Sequence, residues 1–112
     1  MILHFCPRAD WLAARAAGEY TADTLATEGF IHCSTAEQVH RPATRLHRGR
    51  NDLVLLEIDE SRLAEPPRYE ADPAGERFPH VYGPIPLAAV VAVHAFPAEP
   101  DGTFALPPGV RR

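Results

Sequence analysis

Leu53-Val54-Leu55-Leu56-Glu57-Ile58 is the clearest strand in this chain of 112 residues, and the turn-like stretch Gly49-Arg50-Asn51-Asp52 leads into it. Its almost unbroken apolar run implies burial on both faces, and so a central place in a sheet. Weaker strand patterns lie to either side: Ile2 to Cys6, Phe30 to Cys33, Arg68 to Glu70, Phe78 to Tyr82 and Val90 to His94. Two helices are expected among them. Asp10 is placed to cap one that runs through Trp11, Leu12, Arg15 and Ala16, with Gly18 as its stop. Ser34-Thr35-Ala36-Glu37 has the Ser-x-x-Glu form of a capping box and predicts the start of the other. Val39, Ala43 and Leu46 would form its buried stripe, and Pro42 should make it irregular or force it to restart. Glu19 to Glu28 reads as a loop with at most one helical turn around Thr24 to Ala26, and Asp59 to Leu63 as a second short turn. The class is therefore α+β.

Size and composition bound the rest. One domain over residues 1–112 is the expectation, with a compact core over about 2–96 and an extended tail over 97–112. The chain is 46% hydrophobic and 23% charged, the balance of a globular protein. Ten of its twelve prolines fall after residue 65, which makes the second half turn-rich. No apolar run approaches the roughly 18–20 residues that cross a membrane. The start MILHFCPRAD lacks the features of a secretory signal, so a cytoplasmic location is expected. A formal charge of −4 argues against general nucleic-acid binding, which needs a basic surface, but leaves room for a small phosphate-bearing ligand.

Strand parity places the chemistry. Side chains alternate between the two faces of a strand. Ile2, His4 and Cys6 share one face of the first strand against Leu3 and Phe5. Phe30, His32 and Ser34 oppose Ile31 and Cys33, and Phe78, His80 and Tyr82 oppose Pro79 and Val81. Three separate segments thus each set a histidine on a mixed polar and aromatic face, the composition of a cleft wall. His40, His47 and His94 read as surface or structural positions. The same parity argues against a Cys6–Cys33 disulfide. The basic stretch His40, Arg41, Arg45, His47, Arg48 and Arg50 reads as a solvated helix face, with Glu37 and Arg41 spaced for an ion pair. Its alternative reading is a phosphate contact at the rim of the cleft.

The segments ADWLAARAAGEY, EGFIHCSTAEQV, RGRNDLVLLEID and RFPHVYGPIPLAAVVAV, in that order, resemble a small bacterial family, domain-of-unknown-function family 952, over roughly residues 2–96. That family is similar in fold to the ADP-ribosyltransferases and tRNA 2′-phosphotransferases, which hold NAD in a cleft between two halves of a split sheet. The resemblance implies an ADP-ribosyltransferase-like split, mostly antiparallel β-sheet with two short helices. It also implies that NAD, or an ADP-ribose-like nucleotide, is the ligand. His4 would hold a ribose or phosphate, His32 and Ser34 the nicotinamide side, and His80 the reacting centre. Arg77 would contact a phosphate and Tyr82 would stack on a ring. His80 stands where many such transferases carry a glutamate, and Glu70 or Glu76 is the carboxylate near enough to substitute. Two other readings use the same residues. One is a three-histidine metal site of His4, His32 and His80; imidazoles with one open position suit catalytic zinc. The other is a non-catalytic module that binds a metabolite or peptide.

Overall fold

In a computed structural model that describes residues 1–111, the chain is an α+β fold of mostly antiparallel strands with three short helices. In chain order the elements are β1 (Ile2–Pro7), α1 (Arg8–Ala17), β2 (Glu19–Tyr20), α2 (Asp23–Thr27), β3 (Ile31–His32), α3 (His40–His47), β4 (Leu53–Ile58), β5 (Arg68–Ala71), β6 (Arg77–Val81), β7 (Ile85–Pro86) and β8 (Val90–Ala95). Single 3₁₀ turns, Glu60–Arg62 and Leu87–Ala89, precede β5 and β8.

Strand β4 is the middle of a three-stranded sheet, β1-β4-β8, and all six of its residues are buried. Parity then divides the interior into two cores. Ile2, Cys6, Val54, Leu56 and Ile58 face one, together with Ile31, Cys33, Val81 and Ile85. Leu3, Leu53, Leu55 and Phe96 face the other, which is completed by Val39, Ala43, Phe104 and Val110. Phe104 and Val110 come from the stretch expected to be an extended tail, so that stretch supplies part of the second core.

A second three-stranded sheet runs β3-β6-β5. It meets the first through one antiparallel bridge, in which Leu3 and Ser34 exchange two backbone hydrogen bonds of 2.8 Å. The two sheets thus share one backbone bridge and are otherwise separately paired. A short ribbon, β2-β7, pairs with neither sheet, yet its Tyr20 and Ile85 pack into the first core. Glu19 and Tyr20, expected in a loop, form its first strand because Ile85 and Pro86 offer them partners distant in sequence.

The helices depart from their sequence signals in instructive ways. Helix α1 begins at Arg8, directly after Pro7, so Asp10 lies in the first turn and interacts with the positive helix end rather than capping it. Gly18 ends it as expected, with φ +93° and its N–H on the Ala14 carbonyl. Ser34 caps no helix, because its backbone is committed to Leu3 and α3 starts six residues later. The side chain that reaches back is Gln38, which accepts a hydrogen bond from the Thr35 N–H at 3.1 Å. Turns then lead to a helix restarted at His40, which leaves Pro42 in the first turn, where its missing N–H costs no helical bond. Val39 and Ala43 are buried as the stripe predicts, but Leu46 is 61% exposed. Arg41 pairs with Glu76, not Glu37, through two contacts of 2.6 Å.

Candidate functional site

A cleft of about 700 Å³ opens where the two sheets part. His4, His32, Ser34 and His80 all line it, and so do Phe5 and Cys33, which alternation assigns to the opposite faces of their strands. Phe5, Phe30 and Phe78 supply aromatic wall, and α3 contributes Pro42, Arg45, Leu46 and His47. His47, read as a surface or structural residue, thus belongs to the cleft. Partial burial, and then the nearby Arg50 guanidinium, lower the pKa of its ring. Charge around the cleft is uneven. Asp10, Glu28 and Asp72 line it against the single guanidinium of Arg45.

His4 sits at the seam. Its Nδ1 lies 2.6 Å from the His32 carbonyl oxygen, which can only accept, so Nδ1 carries the hydrogen. In the neutral ring Nε2 then accepts from the Tyr20 hydroxyl at 2.7 Å. Burial drives the pKa of His4 down to about 4, so it is neutral at physiological pH. One imidazole thereby joins β1 to β3 and β2, and both of its nitrogens are occupied. Cys6 and Cys33 also line the cleft, as free thiols in the same core. Burial pushes Cys6 up to about 11 and Cys33 higher still, so neither is a ready thiolate nucleophile.

His32 and His80 face each other across the β3–β6 register, with ring centroids 5.4 Å apart. Each leans on a carboxylate. His32 Nε2 is 3.1 Å from Glu28 Oε1, and His80 Nδ1 is 2.8 Å from Glu70 Oε1. His32 is half exposed, whereas the His80 side chain is only 12% exposed and lies under the Phe30 ring, centroids 4.0 Å apart and 17° from parallel. A carboxylate on Nδ1 fixes the tautomer of His80 and leaves Nε2 without a partner among the described residues. Glu70 also accepts from the Tyr82 hydroxyl. That bond first, and the His80 contact second, hold the Glu70 carboxyl below its ordinary pKa.

Two expected contacts take different places. Tyr82 does not line the main cleft; it borders a smaller cavity of about 340 Å³ with Leu63 and Pro84, and Arg68 covers its ring at 4.3 Å. Its part in the site runs through Glu70. Arg77 falls outside the cleft lining, because on β6 it is an odd number of residues from His80 and so on the opposite face; it donates to the Tyr69 carbonyl at 2.8 Å. Of the two carboxylates near His80 in sequence, Glu70 meets it and Glu76 is engaged by Arg41 and Gln38. Sequence reading missed Phe30 as the lid on His80, and Tyr20 as the partner of His4. The parity of Phe30 carried the first signal; Tyr20 carried none, because its position depends on the β2-β7 ribbon.

The chain matches, over residues 5–93, the family described as "Protein of unknown function (DUF952)". Among solved structures it is similar to the crystal structure of protein CC0527 from Caulobacter crescentus, with 35% identity, TM-score 0.85, and 94% of this chain and 93% of that one covered. A crystal structure of a double mutant of the same protein aligns at 34% identity and TM-score 0.84, again covering 94% and 93%. Its solution NMR structure aligns at 35% identity and TM-score 0.80, covering 91% and 89%. No curated protein matches the chain.

Proposed function

This chain belongs to the DUF952 family, and from that premise we propose that its cleft binds NAD or an ADP-ribose-like nucleotide, with His80 as the base of a ribosyl transfer. The observation that carries the reading is the His80–Glu70 pair, in which a largely covered imidazole leans on a more exposed carboxylate and His80 Nε2 has no partner among the described residues. In such a transfer an acceptor hydroxyl gives its proton to His80 Nε2 while its oxygen attacks the ribosyl carbon and nicotinamide departs neutral. Glu70 then stabilises the imidazolium that forms, and its negative charge, with Glu28 and Asp72 nearby, suits a reacting centre that gains positive charge. In this reading Glu70, hydrogen-bonded to the far side of the His80 ring, supplies the carboxylate that the ADP-ribosyltransferase resemblance implies.

The rest of the lining fits a ligand with two unlike ends. Carboxylates suit a cationic pyridinium ring, whereas Arg45 on α3 suits a phosphate. Aromatic walls suit a base. Ser34 and His32 line the cleft beside the seam, within the same lining as His80. The three-histidine metal reading is disfavoured by His4, which has no free lone pair: one nitrogen carries a hydrogen bonded to the His32 carbonyl and the other accepts from Tyr20.

The test is a titration of isotope-labelled protein with NAD, and separately with ADP-ribose, followed by the histidine ring signals. Shifts at His32 and His80, lost in a folded His80→Ala variant, are expected. Unmoved rings at millimolar ligand would overturn the proposal. Binding without release of nicotinamide from NAD, in wild type as in His80→Ala, would leave a non-catalytic nucleotide module in place of a transferase.

A further inference from the structure

Glu57 is the anomaly of the central strand. It is a carboxylate only 1% exposed, on the face of β4 that otherwise presents Leu53 and Leu55. Burying a charge costs several kcal/mol unless partners compensate. Its partners are His94, with Nε2 2.9 Å from Oε1, and Arg111, with Nε 3.5 Å from Oε2. His94 lies on the neighbouring strand, but Arg111 comes from the segment that follows β8. At Gly109 of that segment, the position a side chain would start from lies 3.5 Å from His94 Cε1. Glu57 Oε2 is buried without a hydrogen-bond partner among the described residues, and the Arg111 guanidinium at the segment's far end is the cation that approaches it, as an ion pair rather than a hydrogen bond.

Between its start and Arg111 the segment grips α3 and the turn after it. Phe104, almost wholly buried, donates its N–H to Thr44 Oγ1 at 3.0 Å. The Gly102 carbonyl accepts from Gly49 N–H at 3.0 Å, the Asp101 carbonyl from Arg48, and the Arg50 carbonyl from Ala98 N–H. The Phe104 ring packs 5.0 Å from Phe96, which lies 6.4 Å from Phe5. Phe5 lines the cleft, and so do four residues of α3. The segment itself contributes no residue to the cleft lining.

We infer that residues 97–111 form a clasp that sets the position of the α3 wall of the cleft, with Phe104 and Arg111 as its positioning residues and buried Glu57 as the catch. The clasp acts from behind the wall, through Thr44, the 48–50 turn and the Phe104–Phe96–Phe5 contacts. Loosening the catch frees α3, and with it Arg45 and His47, while β1 and β4 stay in place.

Hydrogen exchange on the full chain tests it without ligand. Arg111→Ala removes an exposed guanidinium and leaves both cores intact. It should raise exchange in residues 98–110 and in α3 together, by about tenfold, with β4 amides unchanged. The His47 ring signal should move in the same variant, although His47 lies far along the chain from residue 111. Phe104→Leu, which keeps an apolar group in the second core, should act in the same direction and more weakly. Faster exchange confined to 98–110, with α3 and His47 as in wild type in both variants, would overturn the coupling. No change anywhere in Arg111→Ala would show that Glu57 is not the catch.

Discussion

The imidazole of His4 does different work from the imidazole of His80, although both line the cleft. His4 donates to one backbone and accepts from one side chain, and is spent as structure; His80 has one nitrogen committed to Glu70 and one free. Solution behaviour should separate them. Because the folded pKa of His4 is depressed to about 4 from 6.5, the unfolded chain binds the extra proton first as pH falls. The stabilisation is fully present above about pH 6.5 and is lost progressively toward pH 4, up to roughly 3 kcal/mol. Urea unfolding at pH 7 and pH 4.5 should show that loss in wild type and a smaller one in His4→Phe; equal losses would show that His4 is not the titrating group. Tyr20→Phe should cost about 1–3 kcal/mol at neutral pH, since it strands the buried Nε2 of His4.

At the scale of elements, β4 and the end of α1 were the most legible parts. An apolar run with no alternation meant burial on both faces, and the strand lies between β1 and β8 with a core on each side. Leu55→Ala and Leu56→Ala should therefore each cost about 2–5 kcal/mol in chemical denaturation, although the two side chains point in opposite directions. A strand with one solvated face would show that cost at only one of them. Gly18 was legible for a different reason: the left-handed φ of +93° that closes α1 is one that a side chain resists. Gly18→Ala should lower stability by about 1 kcal/mol in thermal unfolding. The capping box at Ser34 failed as a signal because a capping motif is local and the Leu3–Ser34 bridge is not. A tertiary partner took the backbone on which the motif depended.

At the scale of the molecule, two sheets pinned by one bridge leave a cleft at the split, and a long final segment braces one of its walls from behind. The second core is built in part from residues far apart in the chain, Leu3 and Phe104 among them. Phe104→Ala should thus destabilise the whole fold by about 3–5 kcal/mol, measured as a shift of the single unfolding transition, rather than fray one end. Among the described residues no helix is long and apolar enough to cross a membrane.

The sequence by itself determined what depends on periodicity and on single-residue conformational limits: the α+β class, the central strand, the helix stop at Gly18 and the restart around Pro42. These follow from a repeat of two along a strand, from the left-handed freedom of glycine and from the missing N–H of proline, none of which needs a partner. Tertiary structure alone decided the β2-β7 ribbon, the pairing of Glu70 rather than Glu76 with His80, the sealing of His4 by Tyr20, the entry of His47 into the cleft and the docking of Phe104. Each of these joins residues distant in sequence, and hydrogen bonds and packing between such residues are selected by the arrangement of the whole chain, which no local pattern encodes.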